Sequence, residues 1–214
     1  MKLRYLITGI ILTTVLIAGI IFLKKSRPAI VNATSVVSSE NKSKGPSAAK
    51  VQIIEFSDFE CPACRMAIPI IEEILKTYPG QIRFSYQHFP LSSHHFSPLA
   101  HQAAECAAMA NKFWEYHDRL YQEQLVWTSS LTDPTETFLL YARDLGLNLD
   151  AFAQCLGDEN VRRRILIEKA NGDLLRVSST PTFFINGERV VGGVDLKIKG
   201  EARIREILGL KAEK

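Results

Sequence analysis

Residues 51–65 read Val51-Gln52-Ile53-Ile54-Glu55-Phe56-Ser57-Asp58-Phe59-Glu60-Cys61-Pro62-Ala63-Cys64-Arg65. The run Val51 to Phe56 alternates poorly, as suits a strand covered on both faces. Met66 to Leu75 has helical spacing, so Cys61 and Cys64 stand where a strand ends and a helix begins. Backbone N–H groups at a helix start have no intrahelical partner, and the helix dipole is positive there. Both favour a thiolate at Cys61, whose pKa is expected to fall from about 8.5 into the range of roughly 3.5–7.5. The i, i+3 spacing brings Cys64 to the same face, close enough to bond Cys61. Pro62 suits the first helical position, where its missing N–H costs nothing. The chemistry this implies is reversible exchange, in which Cys61 attacks or is attacked and the more buried Cys64 resolves the mixed disulfide.

A CxxC is also half of a zinc site. Cys106 and Cys155 are isolated, however, and neither has a histidine at ligand spacing, so no second half-site is present. Pro69 falls inside the helix and should bend it. Tyr78-Pro79-Gly80 ends it, and Gln81 to Phe89 alternates as a half-buried strand. Residues 92–176 read as helical, with a small-residue face at Ala100, Ala103, Ala104, Ala107 and Ala108 and an aromatic face from Phe113 to Tyr121. Gly146 ends one helix and Asn148 caps the next, while the charged residues from Glu159 to Glu168 read as a solvated face. Asn186-Gly187 between two apolar runs signals a type I′ hairpin, and Ile198 to Leu210 a terminal amphipathic helix.

Five pieces carry a family resemblance: FSDFECPAC from Phe56, HFPL at 88–91, AAECA at 103–107, FWEYHDRLY at 113–121 and STPTFFING at 179–187. In that order the chain resembles the DsbA-like branch of the thioredoxin-fold thiol–disulfide oxidoreductases, particularly its membrane-anchored members. The resemblance implies an α/β thioredoxin fold with a helical insertion at about 92–176. It implies a cis Thr180–Pro181 bond against the disulfide, with the Thr180 backbone pairing to substrate. It also implies reduced or unfolded proteins as substrates and a membrane quinone-linked thiol oxidase as the partner that restores the disulfide. Ala63 departs from the best-known oxidant of the family, which carries a histidine there, so the redox potential is the property least fixed by the likeness.

Glu55 is a carboxylate in an apolar run, either exposed on the strand or buried beneath the disulfide. The resemblance implies the buried position, with Glu55 relaying a proton to or from Cys64. Asp58 and Glu60 read as solvated, and if anything would disfavour the thiolate. His94 and His95 fall near the rim of the site with no assignable partner; His88, His101 and His117 read as structural. Cys106 and Cys155 are either two buried thiols or, as an even count outside the cytoplasm favours, a structural disulfide.

Residues 5–23 are uncharged and would span about 28 Å as a helix, near the hydrocarbon thickness. Lys24, Lys25 and Arg27 follow at once, which favours an uncleaved signal-anchor over a secreted product released by cleavage. Residues 24–49 read as a flexible tether and 50–214 as the folded domain. The formal charge of +3 divides unevenly: residues 1–49 hold 7 of 26 basic and 1 of 23 acidic residues. That leaves 19 basic against 22 acidic residues, a net of −3, in the domain, which gives no support to nucleic-acid binding.

The expectation is therefore a single-pass protein of the bacterial inner membrane, with its catalytic domain outside the cytoplasm. It forms disulfides through Cys61-Pro62-Ala63-Cys64 and needs no metal or further cofactor. The alternatives are an isomerase or reductase using the same site, and a chaperone holding Cu(I) between the two sulfurs.

Overall fold

In the computed structural model the described residues are 39–210, and they build a five-stranded sheet flanked by helices. Strand β1 (Ser43–Lys44) is followed by β2 (Val51–Ser57), helix α1 (Pro62–Thr77) and β3 (Ile82–His88). Six helices come next: α2 (Ser97–Met109), α3 (Phe113–Gln122), α4 (Gln124–Thr128), α5 (Thr135–Asp144), α6 (Leu149–Leu156) and α7 (Glu159–Leu174). The hairpin β4 (Thr182–Ile185) and β5 (Glu188–Val191) then leads into α8 (Gly192–Asp195), a π-helical stretch Leu196–Gly200, and α9 (Glu201–Leu208).

The strand order is β1-β3-β2-β4-β5. Only β2 and β3 are parallel, joined by the α1 crossover; β1, β4 and β5 run antiparallel to their neighbours. Successive side chains on a strand face opposite sides, which gives β2 two cores to serve. Val51 and Ile53 join a cluster with Ala67, Ile71 and Ile74 of α1 and Ile204 of α9. Ile54 and Phe56 join another with Phe89, Leu175 and Val177. Glu55 therefore shares the face of Ile53, toward α1. The hairpin turn places Asn186 at φ 46° and Gly187 at φ 89°, the positive values a type I′ turn requires.

The helical insertion has its own core, in which Ala100, Ala103, Ala104, Tyr116, Leu120, Trp127 and Phe138 pack with Phe59, Cys64 and Tyr86 from the sheet side. Helix α7 comes so close to the sheet that a Cβ at Gly172 would lie 2.6 Å from the Phe89 ring. A disulfide joins Cys106 of α2 to Cys155 of α6.

Four readings of the sequence need correction. The tether expected at 24–49 is already folded from residue 39: Glu40–Lys42 form a short 3-10 turn and β1 pairs with β3. Lys42 is buried and bonds Glu105 and Glu168, which anchors that segment to the insertion. Glu168 thus lies against the core rather than on a solvated face. Strand β3 is buried along its whole length instead of half-buried, because the N-terminal segment partners its polar side chains: Arg83 bonds the Gly45 carbonyl and Ser85 bonds Ser43. The terminal helical region starts at Gly192 rather than Ile198. Helix α1 runs through Pro69 and ends at Thr77, with Tyr78 as its C-cap, as the Tyr78-Pro79-Gly80 stretch leads one to expect.

The apolar run 5–23 lies outside the described residues. Among the described residues, no helix is long and apolar enough to cross a membrane.

Candidate active site

Cys61 is the N-cap residue of α1, with extended backbone at φ −73° and ψ 119°, and Pro62 takes the first helical position. Cys64 sits one turn on and is fully buried, whereas Cys61 keeps 7% of its surface exposed. Both are free thiols in this structure. The Thr180–Pro181 peptide bond is cis, and the Thr180 carbonyl accepts from the Cys61 thiol at 3.4 Å. Pro62 and Ala63 are exposed at the mouth of the site.

The two sulfurs differ electrostatically. The Cys61 thiol is brought down to about 6, chiefly by the hydrogen bond from Cys64, against an opposing effect of burial. The Thr180 side chain and the backbone N–H groups of Cys64 and Ala63 add to the lowering. The Thr180 hydroxyl is buried and makes no hydrogen bond among the described residues, so it is free to serve the thiolate. Cys64 is pushed well above the ordinary thiol value, first by burial and then by the neighbouring Cys61. A low-pKa sulfur at the helix tip backed by a high-pKa sulfur inside the helix is the chemistry of a thiol–disulfide oxidoreductase.

Glu55 is 3% exposed. Burial raises its carboxyl to about 7, opposed by a hydrogen bond with Ser57 and aided by the charge of Cys61. Glu55 in turn is one of the groups that raise Cys64. A carboxyl that titrates near neutrality beside a buried thiol can hold or release the proton that thiol exchanges.

Asp58, read from the sequence as solvated, is fully buried. Its carboxylate accepts from the N–H groups of Glu60 and Leu91 and from the Ser97 hydroxyl, and it pairs with His94 Nδ1 at 2.9 Å. Burial alone would raise it, but His101 with the Leu91 N–H and Ser97 outweighs that and holds it far below the usual carboxylate range. His94 therefore has a definite partner. Glu60 is half-buried, and its carboxylate accepts from the Phe96 N–H at 2.7 Å. From Asp58 a buried chain continues through His101, His88 and Glu105 to Lys42. The loop before the cysteines is thus gripped by the insertion from several sides, with Phe59 stacked on Tyr86 at 5.2 Å as its apolar plug.

Sequence reasoning missed Asp58, Lys42 and Gln124. Gln124, of α4, is 1% exposed and donates to the carbonyls of Phe59 and Cys61. Its position in a polar stretch gave no signal. No group of three or more His, Cys, Asp or Glu side chains able to hold a metal ion occurs among the described residues.

The thioredoxin family model matches residues 38–199. The chain belongs to the thioredoxin family. That match takes in Glu40–Lys42 and β1 as well as the rest of the sheet. Among solved structures, alpha-DsbA1 of Wolbachia pipientis aligns at a TM-score of 0.71 with 22% identity, over 84% of this chain and 96% of that one. Oxidised BdbD of Bacillus subtilis aligns at 0.70 with 21% identity, over 78% and 92%. At such identities the likeness carries the fold, which is the thioredoxin fold with a helical insertion of DsbA proteins. Among curated proteins, the Na(+)/H(+) antiporter NhaA 3 of Salinispora tropica is 39% identical over 157 residues, 72% of this chain and 23% of its own. NhaA of Herminiimonas arsenicoxydans is 29% identical over 154 residues, 72% and 24%. The chain spans about a quarter of the length of these relatives.

Proposed function

We propose that the protein forms disulfide bonds in reduced or unfolded proteins outside the cytoplasm, held to the inner membrane by residues 5–23. The observation that carries this reading is the opposed character of the two sulfurs, Cys61 lowered to about 6 and Cys64 raised. Stabilising the Cys61 thiolate stabilises the reduced pair, which makes the disulfide a stronger acceptor of electrons and Cys61 a better leaving group.

The cycle starts from the Cys61–Cys64 disulfide. A substrate thiolate attacks Cys61 Sγ, the S–S bond breaks, and the electron pair leaves on Cys64, which takes up a proton from Glu55. The second substrate thiolate attacks its own sulfur in the mixed disulfide and expels Cys61 as thiolate. The substrate loses two electrons and the pair gains them. A membrane quinone-linked thiol oxidase removes them again, a partner implied by the family. Thr180 and Pro181 hold the substrate backbone against the sulfur, and the Thr180 hydroxyl steadies the thiolate.

The anchor rests on the sequence of 5–23 and the basic residues after it. The folded domain is already in place at Glu40–Lys42. Ion transport, named for the curated relatives, is not proposed for a chain that spans a quarter of their length.

The test is to equilibrate the full-length protein with glutathione buffers and quantify the Cys61–Cys64 disulfide, alongside oxidation of a reduced substrate. A potential toward the oxidising end, nearer about −120 mV than about −270 mV, is expected. A value at the reducing end with poor substrate oxidation would instead assign the site to a reductase or isomerase.

A further inference from the structure

Two backbone carbonyls bracket the attacking cysteine, those of Phe59 and Cys61. The Cys61 oxygen accepts from the N–H groups of Cys64 at 3.1 Å and Arg65 at 3.3 Å, the first bonds of helix α1. Both oxygens also accept from the one side-chain amide of Gln124, at 2.7 Å for Phe59 and 3.0 Å for Cys61. Gln124 is 63 residues from Cys61 along the chain and is buried. Its backbone carbonyl accepts from the Thr128 hydroxyl at 2.7 Å, one turn on in α4.

The consequence follows from where those carbonyls sit. One belongs to the peptide plane between Phe59 and Glu60, the other to the plane between Cys61 and Pro62. Clamping both, together with the Cys61 N–H bond to the Asp58 carbonyl at 3.1 Å, leaves Cys61 little freedom in φ or ψ. The resulting extended backbone turns Sγ toward the Ala63 and Cys64 N–H groups and toward Thr180. A rotation of ψ would carry the sulfur away from those donors. The clamp is uncharged, so it places the sulfur without adding a charge that would itself favour or oppose the thiolate.

We infer that Gln124 is a positioning residue for the exchange reaction, the side chain through which the helical insertion sets the acidity of the Cys61 thiol. This rests on the exchange chemistry proposed above and adds a control that lies outside the redox motif and the cis-proline loop. An apolar side chain of the same length would leave the Phe59 carbonyl buried without this donor and Cys61 freer to turn.

The experiment is pH-dependent alkylation of Cys61 in the full-length reduced protein, followed by mass spectrometry for Gln124→Met, Gln124→Asn and Phe138→Leu. Phe138 is buried in the insertion core with its ring against Trp127 and Tyr141 and makes none of the hydrogen bonds described above, so its variant reports a loss of packing. Gln124→Met is expected to raise the Cys61 midpoint by about one pH unit, a tenfold loss of thiolate below the midpoint. Gln124→Asn, whose amide is one methylene short of bridging both carbonyls, should raise it by less. Phe138→Leu should lower the melting temperature and leave the midpoint in place. Midpoints for Gln124→Met and Gln124→Asn equal to wild type would overturn the inference, as would an equal shift in Phe138→Leu. Should Gln124→Met fail to fold, Gln124→Asn decides alone by the same criterion. A wild-type protein with no midpoint near 6 would instead defeat the exchange reading, and the inference with it.

Discussion

The chain holds two pairs of cysteines that have been given opposite tasks by their positions on helices. Cys61 and Cys64 occupy the cap and first turn of α1, where N–H groups and the positive end of the dipole favour a thiolate. Cys106 lies in the body of α2, whose N–H groups are spent on helix bonds, and Cys155 lies in the last turn of α6, at the negative end of its dipole. Nothing there steadies a leaving thiolate, and the bridge closes 49 residues of chain. The difference teaches that reactivity belongs to the donors around a sulfur rather than to the bond. One pair exchanges; the other holds α2 to α6.

The largest effects should come from exchanging the roles of the two pairs. Cys61→Ser should abolish oxidation of a reduced substrate, while in Cys64→Ser given oxidised glutathione Cys61 should still attack that disulfide, expel one glutathione thiolate and accumulate as the mixed disulfide, visible as a glutathione mass adduct on Cys61. The double variant Cys106→Ala/Cys155→Ala should keep substrate oxidation within a few-fold of wild type yet lose about 2–5 kcal/mol in denaturant unfolding. Loss of activity in a folded double variant would mean that the second pair takes part in the chemistry.

Next comes Glu55, proposed above as the proton relay of the first pair. Its folded pKa is raised to about 7 from an ordinary 4.5, so the folded protein binds its proton more tightly than the unfolded chain. Stability tied to that proton is complete below about pH 4.5 and is lost as the pH climbs through about 7, by about 3 kcal/mol in all. Measured on the oxidised protein, where neither Cys61 nor Cys64 titrates and burial alone raises Glu55, Glu55→Gln should remove the part of this slope that burial sets and be the more stable form at pH 8. It should also slow exchange several-fold near neutrality, because Cys64 would lose the proton relay proposed for it. A slope that survives the substitution would place the titration elsewhere.

The smallest expected effect is at Ala63, exposed between the two sulfurs. Ala63→His places a titratable cation beside the thiolate and should lower the Cys61 midpoint further, making the disulfide more oxidising by a few-fold in glutathione equilibrium. A histidine beside Cys155, as Gln154→His, should change nothing in exchange.

What was legible in the sequence follows from how local each signal is. The strand, the CxxC and the helix start are contiguous, and Asn186-Gly187 announces its own turn. Polar residues that find partners far away in the chain were misread. Lys42 meets Glu105 and Glu168 at separations of 63 and 126 residues, and Asp58 meets His94 at 36. In the sequence each looks like a solvated charge, and only folding shows the pairs. Strand β1, two residues long, is too short to carry a periodicity, so the serine-rich stretch around it reads as linker. Gln124 has no periodic or motif signature at all.

The central claim is the asymmetry of Cys61 and Cys64, and one measurement addresses it directly. The reduced full-length protein is alkylated across pH 4–10 with isotopically distinct reagents, and each cysteine is quantified separately. The account predicts that Cys61 reacts with a midpoint near 6 while Cys64 stays protected far into the alkaline range. Equal reactivity of the two thiols, with a common midpoint near about 8.5, would contradict it.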